Sequence, residues 1–318
     1  MIPPLCKWRL GGVDLPPLTP PYKGGERRTM SITPEQVKTL REKTGAGMMD
    51  CKKALGEAAG DMEKATELLR KWGISTAAKK AGRVAADGTI GHYIANDGKL
   101  GVLVEVNCET DFVVKTPDFQ NYVKTLTNIV REKNPKDLDA LFAVNHEGTT
   151  VKDHETNLVA KIREKLGVRR FARWEADGST TKIAQYIHAG NKIGVMVIFS
   201  DPSSKLADQQ AREVAMHVAA MHPLYVRKED IPESVIVKER EILMSQMVNE
   251  KKPPEILEKI AAGKLSKYYS EVCLDDQLFV RDPEGKLSVS KALQKIDPKI
   301  KVEKFVRFQV GEGIEKKV

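Results

Sequence analysis

Ile90-Gly-His-Tyr-Ile-Ala-Asn-Asp-Gly-Lys-Leu-Gly-Val-Leu-Val104 reads as a β-hairpin. Its turn holds Asn and Gly, residues that accept the left-handed backbone a tight hairpin turn demands. The second strand continues through Glu105 and Val106 and is almost wholly apolar, the pattern of a strand covered on both faces. The same stretch occurs again. Ile183-Ala-Gln-Tyr-Ile-His-Ala-Gly-Asn-Lys-Ile-Gly-Val-Met-Val197 aligns without a gap, and Ile, Tyr, Ile, Lys, Gly, Val and Val stand at identical places. A helical stretch follows each copy, Phe119 to Arg131 and Leu206 to Met221. The repeat predicts an α+β core of two related subdomains, one over 89–175 and the other over 176–228 and 277–318.

Upstream, three short helices are expected within 30–74. Thr33-Pro-Glu-Gln36 combines an N-cap Thr, Pro at the first helical position and Gln three residues on, a capping box that opens a helix carrying Val37 and Leu40. Gly45 and Gly47 stop it. Cys51, Ala54, Leu55 and Ala58 recur at helical spacing, as do Ala65, Leu68, Leu69 and Trp72, with Gly60 and Gly73 read as terminators. So small a bundle has a thin core and spare surface for a partner. Residues 75–88, including Lys79-Lys-Ala-Gly-Arg83, read as a basic linker.

Residues 229–276 shift to charge-rich helical sequence. Val235, Ile236, Leu243 and Met247 mark one limb, and Ile256, Leu257, Ile260 and Leu265 the other, with Pro253-Pro254 at the bend. An antiparallel helical hairpin inserted into the second subdomain is the expectation. Ser288 to Ile296 reads as a short helix and Val302 to Val310 as a closing strand with Val306, Phe308 and Val310 on one face.

The first 29 residues differ from the rest. They are rich in Pro and Gly, lack the apolar core of a signal peptide, and show no period of helix or strand. Translation starting at Met30 is the expectation, with 1–29 a flexible tail or a misassigned leader. Those residues hold five basic and two acidic side chains, so +5 of the formal +8 charge belongs to the remainder. Spread over that length, it argues only weakly for a phosphate-binding surface.

Several chemistries find no support. The four cysteines, Cys6, Cys51, Cys108 and Cys273, have no C-x-x-C spacing, which fits reduced thiols better than a zinc site or disulfide framework. There is no G-x-x-x-x-G-K-[ST] loop, no H-E-x-x-H and no apolar run of membrane-spanning length. Met216-His217 lies in an apolar helical run and reads as a packed histidine, and Asp275-Asp276 lacks a convergent base. A catalytic residue, a metal site and a cofactor are therefore not expected. Arg163, Lys165, Arg169, Arg170 and Arg173 are interrupted by Glu164 and end before Glu175. The cluster fits a solvated face or an ion-pair network, with an RNA groove as the second reading.

Three motifs remain. Thr44-Gly-Ala-Gly-Met-Met-Asp-Cys-Lys-Lys-Ala54, Glu105-Val-Asn-Cys-Glu-Thr-Asp-Phe-Val113 and Phe308-Gln-Val-Gly-Glu-Gly-Ile-Glu315 occur in that order. On residue type alone, Phe112 is an aromatic folding back from a loop onto its own core and Met48-Met49 a core pair. Together the three motifs closely resemble the elongation factor Ts family, from about Ser31 to the last residue.

That resemblance implies an N-terminal three-helix, UBA-like bundle and a coiled-coil insertion around the α+β core. It implies guanine-nucleotide exchange on elongation factor Tu, GDP-bound or nucleotide-free, in the cytoplasm during translation elongation. Thr110, Asp111, Phe112 and Val113 would then disturb the partner's Mg²⁺ site, with Phe112 as wedge, Asp111 as polar partner, and Thr110 and Val113 shaping and seating the loop. Arg41, Met48 and Met49 would grip the partner's G domain, and His188 would make a further contact. Neither DNA nor a membrane is an expected partner, whereas a homodimer through the helical hairpin is a further possibility. Some family members continue after the Gly-Glu-Gly-Ile-Glu ending with a further helix that also touches the partner, a contact that bears on affinity and not on identity. The competing reading is an RNA- or ribosome-binding accessory protein without exchange activity.

Overall fold

The computed structural model describes residues 32–246 and 254–315. Residues 1–29, Met30, Met247 and Pro253 lie outside the described residues, as does the Leu257 side chain. Helix α1, Pro34–Thr44, opens on the expected box: the Thr33 N–H donates to Gln36 Oε1 at 3.0 Å, and the Gln36 N–H to Thr33 Oγ1 at 3.2 Å. Gly45 ends it in the left-handed region, φ 66°. α2, Met48–Glu57, and α3, Met62–Lys80, complete a bundle around Val37, Leu40, Cys51, Ala54, Leu55 and Ala65.

Gly73 does not terminate α3. The helix runs on through Lys80, into the stretch expected to be linker. Gly73 is buried against a later helix, where a Cβ would lie 3.5 Å from that of Ala160. A methyl there would make only ordinary van der Waals contact, so Gly73 is a position the helix passes through, not one that ends it.

β1, Asp87–Ile94, and β2, Leu100–Cys108, form the first hairpin. The segment after it was expected as a loop, but Asp111–Val114 forms a single helical turn, α4, before α5 begins at Thr116-Pro117 and runs over Pro117–Lys133. α6, Leu138–Ala143, the short strands β3, Asn145–His146, and β4, Thr149–Thr150, and α7, Val151–Ile162, lead to β5, Leu166–Glu175. β5 pairs antiparallel with β2 in a sheet of order β1-β2-β5. In the second half β6, Thr181–Ile187, and β7, Ile193–Ser200, form the repeated hairpin, and α8, Asp208–Met221, covers it. α9, Glu233–Gln246, and α10, Pro254–Val272, are the two packed helices of the insertion, with Leu243 and Ala261 buried between them and their surroundings. α11, Val289–Ile296, and β8, Lys301–Gln309, return to the core, giving the sheet β6-β7-β8. The fold is a mixed α+β one.

The halves pack through their repeated residues. A Cβ on Gly101 would lie 2.8 Å from Met196 Sδ and 3.1 Å from Ile183 Cγ2, while one on Gly194 would lie 2.8 Å from Ile90 Cγ2 and 3.1 Å from Leu103 Cδ2. Gly101 aligns with Gly194, Ile90 with Ile183, and Leu103 with Met196. Each glycine makes room for the other copy's side chains, which accounts for the glycine common to both hairpins. The result is a shared core of Ile90, Leu103, Ile183, Met196, Ile198 and Phe308.

Both sheets also carry a bulge at the equivalent place, Glu105/Val106 in one and Ile198/Phe199 in the other. Neighbours on a strand normally face opposite sides, but a bulge brings two residues to one position. In β5 the extra residue is Arg169, and so both Arg169 and Arg170 reach the wholly buried Glu105, at 3.2 and 2.6 Å. Glu105 also accepts the Gly311 N–H at 3.0 Å. Arg170 bonds Glu312 Oε2 at 2.9 Å, Arg169 bonds the Glu312 carbonyl, and Gly311 sits with φ 73° where a Cβ would overlap the Ala86 carbonyl. The Gly-Glu-Gly ending is thus a latch from the second half onto the first.

Candidate functional site

β2 delivers its last residues to the edge of the first half, where two kinds of constraint take over. Thr110 is the N-cap of α4, yet its hydroxyl does not cap the helix. It donates to Glu164 Oε1 at 2.8 Å, while the Thr110 N–H donates to Glu164 Oε2 at 3.0 Å. Cys108 Sγ donates to the Thr110 carbonyl at 3.1 Å, and burial, reinforced by Glu164, pushes that thiol up to about 12, so it stays protonated. Downstream, the Lys115 and Thr116 N–H groups close on the carbonyls of Phe112 and Val113 at 3.2 and 2.9 Å.

Within that turn the outcome follows from helical geometry. Val113 is buried in the first-half core, and its neighbour, about 100° round the helix, is turned outward. Phe112 is 76% exposed. Asp111 beside it meets Lys115 Nζ at 3.4 Å, and the same ammonium lies 5.9 Å from the Phe112 ring centre. Self-packing, the ordinary reading of a loop aromatic, does not occur.

The methionines give the same answer. Gly47 caps α2 by its backbone, leaving Met48 56% and Met49 73% exposed in the first turn, while Cys51 and Leu55 fill the bundle. Arg41, in the last turn of α1, is exposed as well. Asp50, next to the methionines, receives Arg163 at 2.9 Å. Since Arg163 precedes Glu164, a chain of contacts runs from the methionine face to the Phe112 turn.

His188 is exposed at the tip of the second hairpin, its ring Nδ1 3.1 Å from the Tyr186 hydroxyl. The next residues, Ala189–Asn191, form a 3₁₀ turn with Gly190 at φ 79°. That turn rests on β1, where Lys192 Nζ reaches the Gly88 carbonyl at 2.9 Å. A groove of about 560 Å³ separates it from α4 and α5, with Val114 and Lys115 at one side and Gly190 and Asn191 at the other. The Phe112 turn and the turn after His188 thus meet this groove through Val114 and Lys115 and through Gly190 and Asn191, while the Phe112 and His188 side chains are not among its lining.

The basic cluster is an ion-pair network. Arg163 holds Asp50, Lys165 Nζ donates to the Arg83 carbonyl, Arg169 and Arg170 enclose Glu105, and Arg173 bonds the Arg131 carbonyl and, at 2.6 Å, Glu175. His217 is a packed histidine. It accepts the Val280 N–H at Nδ1 (3.3 Å) and donates from Nε2 to Gln277 (3.0 Å), and burial lowers its pKa.

The model of the family described as elongation factor TS matches residues 109–312. The elongation factor Ts of Clostridium perfringens (strain SM101 / Type A) is 45% identical over 292 residues, covering 90% of this chain and 95% of the relative. That of Halothermothrix orenii is 44% identical over 290 residues with the same coverage. The chain belongs to the elongation factor Ts family. The matched span begins one residue before Thr110 and ends at Glu312, so it runs from the Phe112 turn to the latch on Glu105. Two partners of the site escape a reading of elongation factor Ts motifs. Glu164 is 54 residues from Thr110 in sequence, and Arg163 stands in a cluster whose composition fits a solvated face equally well.

Proposed function

We propose that the chain promotes nucleotide exchange on elongation factor Tu through the Phe112 turn as lever and the Arg41–Met48–Met49 face as clamp. The chain is a guanine-nucleotide exchange factor of translation elongation, and its working surface follows from what such a factor must do. It has to bind the nucleotide-free partner more tightly than the GDP-bound one, and reciprocity then weakens GDP by the same factor. Every ~1.4 kcal/mol of this negative coupling is about tenfold in nucleotide affinity. A bound Mg²⁺ is the largest local charge in a phosphate site, so disturbing its surroundings supplies several such factors without covalent chemistry.

The single observation carrying this reading is the exposed Phe112 ring on a turn bonded at both ends. A rigid apolar wedge loses little freedom on insertion, so its burial goes largely into binding. Asp111 brings a carboxylate toward the metal's surroundings, Thr110 and Val113 seat the turn, and His188 gives a second contact across the groove. Such a factor is itself no enzyme and acts in the cytoplasm on a GDP-bound or nucleotide-free partner. A second copy packing on the helical hairpin, where Val237, Ile242 and Met244 are exposed, is a separate part of the proposal, checked by sedimentation. RNA binding has lost its main support, because the arginines that suggested it are engaged with carboxylates and carbonyls.

Stopped-flow release of fluorescent GDP from elongation factor Tu is the test. Acceleration by this chain, dependent on its concentration and saturating, is expected; an unchanged release rate would falsify the exchange reading.

A further inference from the structure

We infer that Glu164 is a positioning residue for exchange: its carboxylate fixes the Phe112 turn, and its neighbour Arg163 ties that turn to the methionine face. The inference rests on the role proposed above for Phe112. Glu164 spans both donors of Thr110, hydroxyl and N–H, at 2.8 and 3.0 Å. Two charge-assisted bonds to one residue fix orientation as well as distance. The N-cap hydroxyl of Thr110 would ordinarily turn inward to its own helix. Here it is diverted, so the start of α4 is set by the connection between α7 and β5, not by α4 itself.

That connection is itself held on both sides. Glu109, one residue earlier, accepts the Lys165 N–H at 2.6 Å and the Arg83 guanidinium at 3.1 Å. Burial opposes its ionisation, but these bonds hold the Glu109 carboxyl below its usual range. Arg163 caps α7 in the left-handed region, φ 62°, a conformation costly for a long side chain. From there its guanidinium reaches Asp50 at 2.9 Å, beside Met48 and Met49. Arg163-Glu164-Lys165 is therefore a strut whose three side chains or N–H groups meet the N-terminal bundle, the Phe112 turn and the end of β2.

The two ends differ in strength. Asp50 and Arg163 are solvent-exposed, and such a pair contributes little. The Glu164–Thr110 bonds are half-buried and charge-assisted, so Glu164 is where a substitution registers.

Epistasis in the full-length chain separates positioning from mere folding. With fluorescent GDP on elongation factor Tu, Glu164→Ala is expected to slow saturated release by about tenfold, equivalent to about 1.4 kcal/mol. The split between saturating rate and half-saturating concentration should follow that of Phe112→Ala. In a Phe112→Ala background the same change should slow release by less than about twofold, because there is no ring left to position. Thr110→Val, which removes one donor and leaves the N–H, should give a smaller slowing of the same kind. Effects of Glu164→Ala that add fully to those of Phe112→Ala, or an unaltered rate while Phe112→Ala is slow, overturn the inference. If Phe112→Ala itself exchanges normally, the proposed lever falls first and the role of Glu164 with it.

Discussion

Carried on past their hairpins, the two halves use one backbone plan for opposite ends. Cys108 aligns with Asp201, Val113 with Leu206, and Phe112 with Lys205. Val113 and Leu206 are both buried. In the second half Asp201 folds the segment onto itself, accepting the N–H groups of Lys205 and Leu206 at 3.0 and 2.9 Å, and Lys205 is tied to Asp297 at 2.9 Å. In the first half Cys108 cannot close the segment in that way, the closing bonds come from Glu164, and the outward position holds an exposed aromatic ring with only the Lys115 ammonium beside it. Duplication thus supplied the inward-facing anchor in both copies, while the outward residue was free to differ.

The same contrast appears at the bulge, and it gives the largest expected effect. Glu105→Ala leaves Arg169 and Arg170 without their buried carboxylate and should cost about 3–5 kcal/mol of unfolding free energy, read by denaturant titration. The equivalent residue is Ile198, where no charge is stranded by substitution. A Glu105→Ala loss below about 1 kcal/mol would mean that the latch is not fastened in solution.

Next in size is the outward position. Phe112→Ala should slow GDP release by roughly 30- to 1,000-fold, the range of an interface hot spot of about 2–4 kcal/mol, with little change in melting temperature. Lys205→Ala should leave release unchanged. Equal slowing in both variants breaks the asymmetry on which the site rests.

Symmetry of the shared core predicts a matched pair. Gly101→Ala and Gly194→Ala should each destabilise by about 1–3 kcal/mol, since each new methyl meets the equivalent side chains of the other copy. Calorimetry that finds one harmless and the other severe would show that the halves do not pack reciprocally.

The smallest effect concerns pH and belongs to the second half alone. Burial pushes Asp275 up to about 6, with Arg227 pulling it down and Asp276, Asp230 and Glu229 adding to the rise. Its folded-state pKa is above the unfolded value of about 3.9. The stability it contributes is therefore fully present below about pH 4 and lost as pH rises through about 6. Relative to Asp275→Asn, the parent should gain about 1 kcal/mol between about pH 7 and pH 4, a figure lowered for partial solvent exposure. Subtracting the two profiles removes the opposite trend from His217, whose lowered pKa costs stability as pH falls.

Much of the fold was legible because its signals are local. The capping box at Thr33, the paired hairpins, α5, α8 and α11 all follow from residues within a few positions of one another. β5 was not legible, because its bulge breaks alternation and its arginines answer a carboxylate on another strand. Gly73 misled because the helix that runs through it is held by packing against α7, a contact distant in sequence. At the site, the outward methionines and Phe112 could be named from their motifs, but a lone turn such as α4 has no period to read. Glu164 needed the fold, since only the chain's path through α7 returns it to Thr110.

β8 has a further consequence, in the order of synthesis. The first sheet is complete once Glu175 has been made, whereas β7 ends at Ser200 and its edge partner starts only at Lys301. Between them the ribosome must deliver α8 and both helices of the insertion. During that interval the apolar β7 has one unpaired edge, and pairings this distant in sequence form slowly. The sheet that carries the Phe112 turn can thus be paired on a nascent chain whose second sheet still lacks its third strand and whose latch, at Gly311 and Glu312, has yet to be made.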